Sequence, residues 1–100
     1  MNAATNIATN TLDEGWGSIS QNTPNPFTGQ STVRVSVPDD ASDAYVDILT
    51  LNGASLKRIP VSNGLSEVSL SSFDFAPGTY LYTLVVNGKV SETRRMIVNR

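Results

Sequence analysis

The sequence contains no cysteine and no histidine, and only 16% of its 100 residues are charged. Without cysteine there is no disulfide framework and no thiolate zinc site. Without histidine the chain lacks the commonest general base and the commonest transition-metal ligand, so a Ser-His-Asp triad is excluded. No phosphate-binding glycine loop occurs, and the chain is too short to build a groove between two catalytic carboxylates. We therefore expect neither enzymatic activity nor a bound cofactor.

Strong net charge and long apolar runs are also missing. The formal net charge is −2, and Asp13 and Glu14 account for that imbalance. Nothing in this charge balance recruits a nucleic-acid backbone or an anionic membrane, and no run approaches the length of a membrane span. The first residues form neither the basic nor the apolar segment of a Sec-type signal peptide, so either the protein is cytoplasmic or the sequence is a fragment whose export signal lies upstream. Met1 before a threonine- and asparagine-rich leader favours the fragment.

The residues that are abundant favour β-structure. Short alternating runs recur every eight to twelve residues with turn residues between them, and no segment has a 3.6-residue period. In the run 31–37, for example, Val33, Val35 and Val37 share one face, and Pro38 ends the strand. Further strands are predicted at 44–51, 55–61, after Gly64 and in a closing hairpin. This pattern indicates an all-β antiparallel sandwich.

The closing hairpin is the clearest local prediction. Residues 79–86 are β-branched, aromatic or aliphatic, and Asn87-Gly88 fits a two-residue type I′ turn before a second run, 89–99. Tyr82 and Leu84 fall on one face of the first strand and Thr83 and Val85 on the other. Because both faces are largely apolar, we expect this strand in the middle of a sheet.

Two regions outside the strands complete the domain organisation. Residues 1–18 are rich in Thr and Asn and read as a flexible linker or tether, so the folded domain is predicted to cover 19–100. Two prolines, at 24 and 26, hold the segment before Phe27 extended, and Phe27 is expected to plug one end of the core. Phe73 and Phe75 are expected to seal the rim of the sandwich.

Two candidate binding sites are each weighed against a plainer interpretation. Asp39, Asp40 and Asp43 are loop carboxylates of the type that bind calcium, but they lack ordered ligand spacing, and solvated carboxylates are commoner. No metal site is predicted. Tyr80 and Tyr82 have the spacing of a sugar-stacking platform, although on so apolar a strand that face is more often core.

Three stretches together resemble a known family. They are residues 21–27, Gln-Asn-Thr-Pro-Asn-Pro-Phe; residues 46–53, which end in Asn-Gly; and residues 76–84, continued by Arg94 to Val98 in the final run. In order and spacing they are similar to the type A C-terminal sorting domain of the type IX secretion system of the Bacteroidetes. The resemblance covers residues 19–100.

The resemblance implies an immunoglobulin-like β-sandwich of about seven strands appended to a larger secreted cargo protein. It implies passage through the periplasm and the outer-membrane translocon, often removal by a cell-surface sortase, and a secreted or cell-surface location. Two departures occur: Leu49 and Thr50 stand where the family has an aromatic residue and an aspartate, and Arg100 replaces its terminal lysine. The positions that match the family are Pro24, Asn25, Pro26, Phe27, Gly53, Gly78, Tyr80, Tyr82, Leu84, Asn87, Gly88, Arg95 and Met96.

All of these positions except Tyr82 and Leu84, together with Arg94 and Arg100, are the candidate contacts for translocon and sortase proteins. An edge strand at the end of the chain offers unpaired backbone for β-augmentation, and we expect the final strand, with Arg94, Arg95 and Arg100 exposed, to be the contact. An exposed edge also permits weak self-association. The alternative functions are an adhesion or carbohydrate-binding module of an extracellular protein, and a structural spacer.

Overall fold

The computed structural model describes residues 17–99, which form two antiparallel sheets and no α-helix. The three-stranded sheet has the order β1-β2-β5 and the four-stranded sheet the order β4-β3-β6-β7. The predicted all-β antiparallel sandwich of about seven strands is confirmed. The strands are β1 (Ser18–Ile19), β2 (Gln30–Val37), β3 (Ala44–Leu49), β4 (Ser55–Pro60), β5 (Gly64–Ser71), β6 (Gly78–Val86) and β7 (Lys89–Val98), with a 3₁₀ turn at Ser72–Asp74.

The core lies between the two sheets and is filled by the alternating residues of each strand. Val33, Val35 and Val37 of β2 are buried, and they face a row from the other sheet that includes Tyr82 and Leu84. Burial of each such side chain contributes about 1.5–3 kcal/mol, so the alternation read from the sequence selects this face of each strand. Phe27 is buried at one end of the core, as predicted.

The strand β6 organises the four-stranded sheet. It pairs with β3 on one side and β7 on the other, which confirms its predicted place in the middle of a sheet. Its core-facing residues Tyr82, Leu84 and Val86 are fully buried, and Thr83 and Val85 on the opposite face are also nearly inaccessible. A charge placed on either face of this part of β6 would therefore lack solvent.

The turn between β6 and β7 has the predicted backbone. Asn87 and Gly88 both adopt positive φ, 51° and 82°, as a type I′ turn requires. Asn87 also holds the neighbouring loop. Its amide N–H donates to the Asp43 carbonyl at 2.8 Å, and its Oδ1 accepts from the Ser42 and Asp43 amides at 2.8 and 3.1 Å. The Asn87 side chain thus joins the turn to the loop that contains Ser42 and Asp43.

The two phenylalanines that were expected to seal the rim differ in exposure. Phe75 is buried at 7% exposure, but Phe73 is 78% exposed, so the prediction that both seal the rim is wrong for Phe73. Phe73 lies within the 3₁₀ turn, where its side chain points to solvent. Most of the predicted linker, residues 1–16, lies outside the described residues, and β1 begins at Ser18. No helix in the described part of the chain is long and apolar enough to cross a membrane.

Candidate functional site

The Pro-Asn-Pro-Phe stretch, residues 24–27, lies against the outer edge of the final strand. We call it the PNPF motif. The Phe27 N–H donates to the Ile97 carbonyl at 3.0 Å, and the Asn99 N–H donates to the Phe27 carbonyl at 2.8 Å. These two bonds form a parallel bridge between Phe27 and Val98. The motif therefore acts as a short fifth strand on the sheet that contains β7.

Side chains extend this contact toward the middle of β7. Asn25 Oδ1 accepts from the Ile97 N–H at 2.8 Å, and Asn25 Nδ2 lies 3.5 Å from the Arg95 carbonyl. Gln21 Nε2 donates to the same carbonyl at 2.6 Å. The edge from Arg95 to Asn99 is thus occupied from within the chain. The expectation that the final strand offers an open backbone edge is wrong for this half.

The two prolines explain why this segment behaves as an edge cover and not as part of a regular strand. Pro24 and Pro26 carry no N–H and restrict their own φ, and each is preceded by a cis peptide bond. The donors left in the motif are those of Asn25 and Phe27. The Phe27 N–H is the one that bonds to β7. A short extended segment with alternate donors removed covers an edge without offering a full edge of its own.

A buried hydroxyl fixes the chain just before the motif. The Tyr82 O–H donates to the Ser20 carbonyl at 2.8 Å and accepts from the Asn22 N–H at 2.7 Å. The Asn22 Nδ2 donates to Ser31 Oγ at 3.0 Å and to the Pro24 carbonyl at 3.1 Å, and Ser31 Oγ donates to that carbonyl at 2.8 Å. The network joins the middle of β6 to the PNPF motif.

This environment also shifts the titration of Tyr82. Burial raises the pKa of the Tyr82 hydroxyl above its ordinary value, because the phenolate would lose its hydration. The Asn22 N–H and the positive charge of Arg94 act in the opposite direction and only partly offset it. The neutral hydroxyl is the form that donates to Ser20, so ionisation removes a bond that holds the segment.

The two neighbouring arginines of β7 have different roles. Arg94 Nε donates to the Ile19 carbonyl at 2.8 Å, while Glu92 Oε1 accepts from the Ile19 N–H at 2.8 Å. These two side chains bond to the backbone of β1 as a neighbouring strand would. Arg94 Nη2 and Glu92 Oε2 lie 3.9 Å apart. Arg94 is therefore half-buried and structural, which corrects the expectation that it is exposed. Arg95 is exposed on the opposite face, and Arg100 lies outside the described residues.

The other predicted contact residues do not form one surface. Met96 is completely buried in the core, so it is unavailable to a partner. Tyr80 is half-buried against Phe75, and its O–H donates to the Ala76 carbonyl. Gly78 pairs with Val98, next to the PNPF motif, and Gly53 lies in the β3–β4 turn. Asn87 and Gly88 follow the far end of β6, about 30 Å from Gly78 at strand geometry.

The structure also bears on the two other candidate sites, the tyrosine platform and the loop carboxylates. Tyr82 is fully buried, so Tyr80 and Tyr82 do not form an exposed sugar-stacking platform. Within residues 17–99, no three carboxylates or other ligand side chains cluster closely enough to hold a metal ion. Gln21, Asn22 and Glu92 are contacts that the sequence analysis did not identify. Gln21 and Glu92 bond to distant backbone groups, and Asn22 bonds to the distant Tyr82 hydroxyl. No local pattern indicates these contacts.

Comparison with known proteins gives one match. The family model described as the secretion system C-terminal sorting domain matches residues 23–99, more than three quarters of the chain. The matched range begins just before the PNPF motif and ends at Asn99, whose N–H bonds to Phe27. No curated protein and no solved structure matches significantly. The match thus includes both parts of the edge contact.

We expect Asn25→Ala to expose the end of β7 to exchange. Loss of Oδ1 leaves the Ile97 N–H without its acceptor, and one such bond contributes about 1 kcal/mol. Amide hydrogen exchange at Ile97 should become about fivefold faster. Asn63→Ala is the control, because Asn63 holds the carbonyls of Asp39 and Ala41 instead. Equal exchange at Ile97 in wild type and Asn25→Ala would contradict the assigned contact.

The raised pKa of Tyr82 predicts a loss of stability at alkaline pH. The unfolded chain releases the tyrosine proton near pH 10, before the folded chain does, so the unfolded state binds fewer protons above that pH. The free energy of unfolding should therefore fall as pH rises above about 10. In Tyr82→Phe this decrease should be shallower. Denaturant titrations at a series of pH values measure it, and identical slopes would refute the assignment.

Proposed function

Because the chain belongs to the family of C-terminal sorting domains of the type IX secretion system, we propose that translocon and sortase proteins recognise it. A domain of this family is a sorting signal that takes the attached protein out of the cell, to the surface or into the medium. The attached cargo is proposed to cross the periplasm and then the outer membrane. A surface sortase is proposed to act on the segment before Ile19.

The observation that carries this proposal is the extent of the family match. It runs from the PNPF motif to the end of β7, the two segments that the backbone bonds of Phe27 join. A sorting signal needs a surface that another protein can read, and no catalytic group. We propose no catalytic role for this chain. No described contact favours the adhesion or carbohydrate-binding alternative.

Arg95 is proposed as a contact for the secretion machinery. Its side chain is exposed, whereas Arg94 beside it is bonded to β1. The Arg95 carbonyl accepts a hydrogen bond from Gln21 and lies next to the Asn25 side-chain amide. These contacts hold in place the backbone from which the Arg95 side chain projects. An arginine presented from a fixed strand recognises carboxylates with defined geometry. Deletion of the whole strand would remove β7 and unfold the sheet, so single substitutions test this role better.

We expect Arg95→Glu to reduce export of a reporter fused to the N-terminus of the chain. Reversal of a charge that contacts a partner costs about 1–3 kcal/mol, so release should fall roughly tenfold in a host with a type IX system. Arg34→Glu is the matched control, since Arg34 is also an exposed strand arginine, on the other sheet. The amount of reporter outside the cell is the measurement.

Two outcomes distinguish a failure of the sorting role from a failure of the Arg95 contact. Release of the wild-type fusion from a host that lacks the translocon would contradict the sorting role itself. Equal release of the Arg95→Glu and Arg34→Glu fusions from the competent host would leave the sorting role intact and exclude Arg95 as a contact.

A further inference from the structure

The two outer faces of the sandwich differ in chemistry. The strand register places apolar side chains in rows across the outside of the four-stranded sheet, where Tyr45, Val85 and Val90 are neighbours and Leu49 lies opposite Leu81. We call this surface the outer face. Outward-facing residues of an antiparallel sheet are ordinarily polar. Its apolar members are Tyr45, Leu49, Leu81, Val85, Val90 and Ile97.

Burial shows that these side chains point away from the core. Val85 is only 6% exposed, yet it does not belong to the core cluster that contains its neighbours Leu84 and Val86. Its neighbours across the sheet are Tyr45 and Val90, and Val90 is 64% exposed. The outer face therefore carries two apolar rows, one through Val85 and one through Leu81, separated by the polar row of Asp47, Thr83 and Thr93.

The three-stranded sheet provides a direct comparison. Its outward residues on β2 are Thr32, Arg34 and Ser36, and those on β5 include Glu67 and Ser69. Leu65 is the large apolar exception among the described residues of that face, at 87% exposure. Both sheets belong to one small domain, so composition alone does not account for the difference. Large apolar surfaces on one side of a domain mark interaction sites.

Charge on the outer face is unbalanced in one place. Arg58 lies over the Tyr45 ring at 4.8 Å from its centroid, and its Nε is 3.7 Å from Asp47 Oδ2. The positive charge of Arg58 is therefore balanced by Asp47. Arg95 makes no ion pair with any described residue, and it stands beside Leu81 in the same row. A partner that covers the apolar rows must also accommodate this positive charge.

We propose that the outer face docks a protein segment of the secretion machinery that presents apolar side chains and a carboxylate opposite Arg95. This inference rests on the proposed sorting function and extends it from one residue to a surface. The apolar rows would supply most of the buried area and Arg95 the orientation, as charged residues do at interfaces with apolar centres. Val90, at the exposed end of the rows, reports on the contact without belonging to the core.

The test compares single substitutions in the 100-residue chain fused behind a reporter in a type IX-competent host. Val90→Glu places a charge among the apolar side chains of the docked surface, and we expect about tenfold less reporter outside the cell. Arg95→Lys should reduce release less than Arg95→Glu, because it keeps a positive charge opposite the partner carboxylate. Leu65→Glu is the control on the polar face and should match wild type. Thermal unfolding of these variants checks that each is folded.

Each outcome decides the inference. Normal release of the Val90→Glu fusion overturns it and leaves the sorting function standing. Equal losses with Arg95→Glu and Arg95→Lys overturn the assigned carboxylate. A wild-type fusion that stays in the cell overturns the sorting function and this inference with it. Sedimentation of the 100-residue chain provides the last outcome: a dimer that Val90→Glu dissociates would assign the face to a second copy and overturn the proposal.

Discussion

The closure of the β7 edge by the PNPF motif is the contact on which the rest of the structure depends. A final strand with a free edge would invite pairing with any other chain. Here the backbone of Phe27 and the side chain of Asn25 occupy that edge instead. Tyr82, from the centre of the sheet, holds the preceding segment in place. The two ends of the domain are thereby joined into one unit.

Where its edge is occupied, from Arg95 to Asn99, β7 presents side chains and not backbone to a partner. Alternation along the strand divides these side chains into two sets. Glu92, Arg94 and Met96 face inward, where they hold β1 or fill the core. Arg95 and Ile97 face outward beside the apolar rows of the outer face. Recognition by side chains of a folded sheet therefore fits the geometry better than strand addition along the whole final strand.

The parts of the fold that were predicted correctly depend on local chemistry. Asn87-Gly88 determines its turn through backbone conformation, and the valines of β2 select their face through alternation. The edge contact was not predicted, because its bonds join residues 70 or more positions apart and involve backbone groups that every sequence has. The different roles of Arg94 and Arg95 could not be predicted from local chemistry either. Arg94 and Arg95 look alike in the sequence, and only the strand register separates the structural arginine from the exposed one.

A double-substitution cycle tests most directly whether the PNPF motif positions the surface that the machinery reads. Export of the reporter fusion is measured for Asn25→Ala, Arg95→Glu and the combined variant, at a temperature where all are folded. If Asn25 acts by holding the backbone of Arg95 and Ile97, its substitution should reduce export in the wild-type background and have little further effect beside Arg95→Glu. Independent effects that multiply in the combined variant would contradict this account.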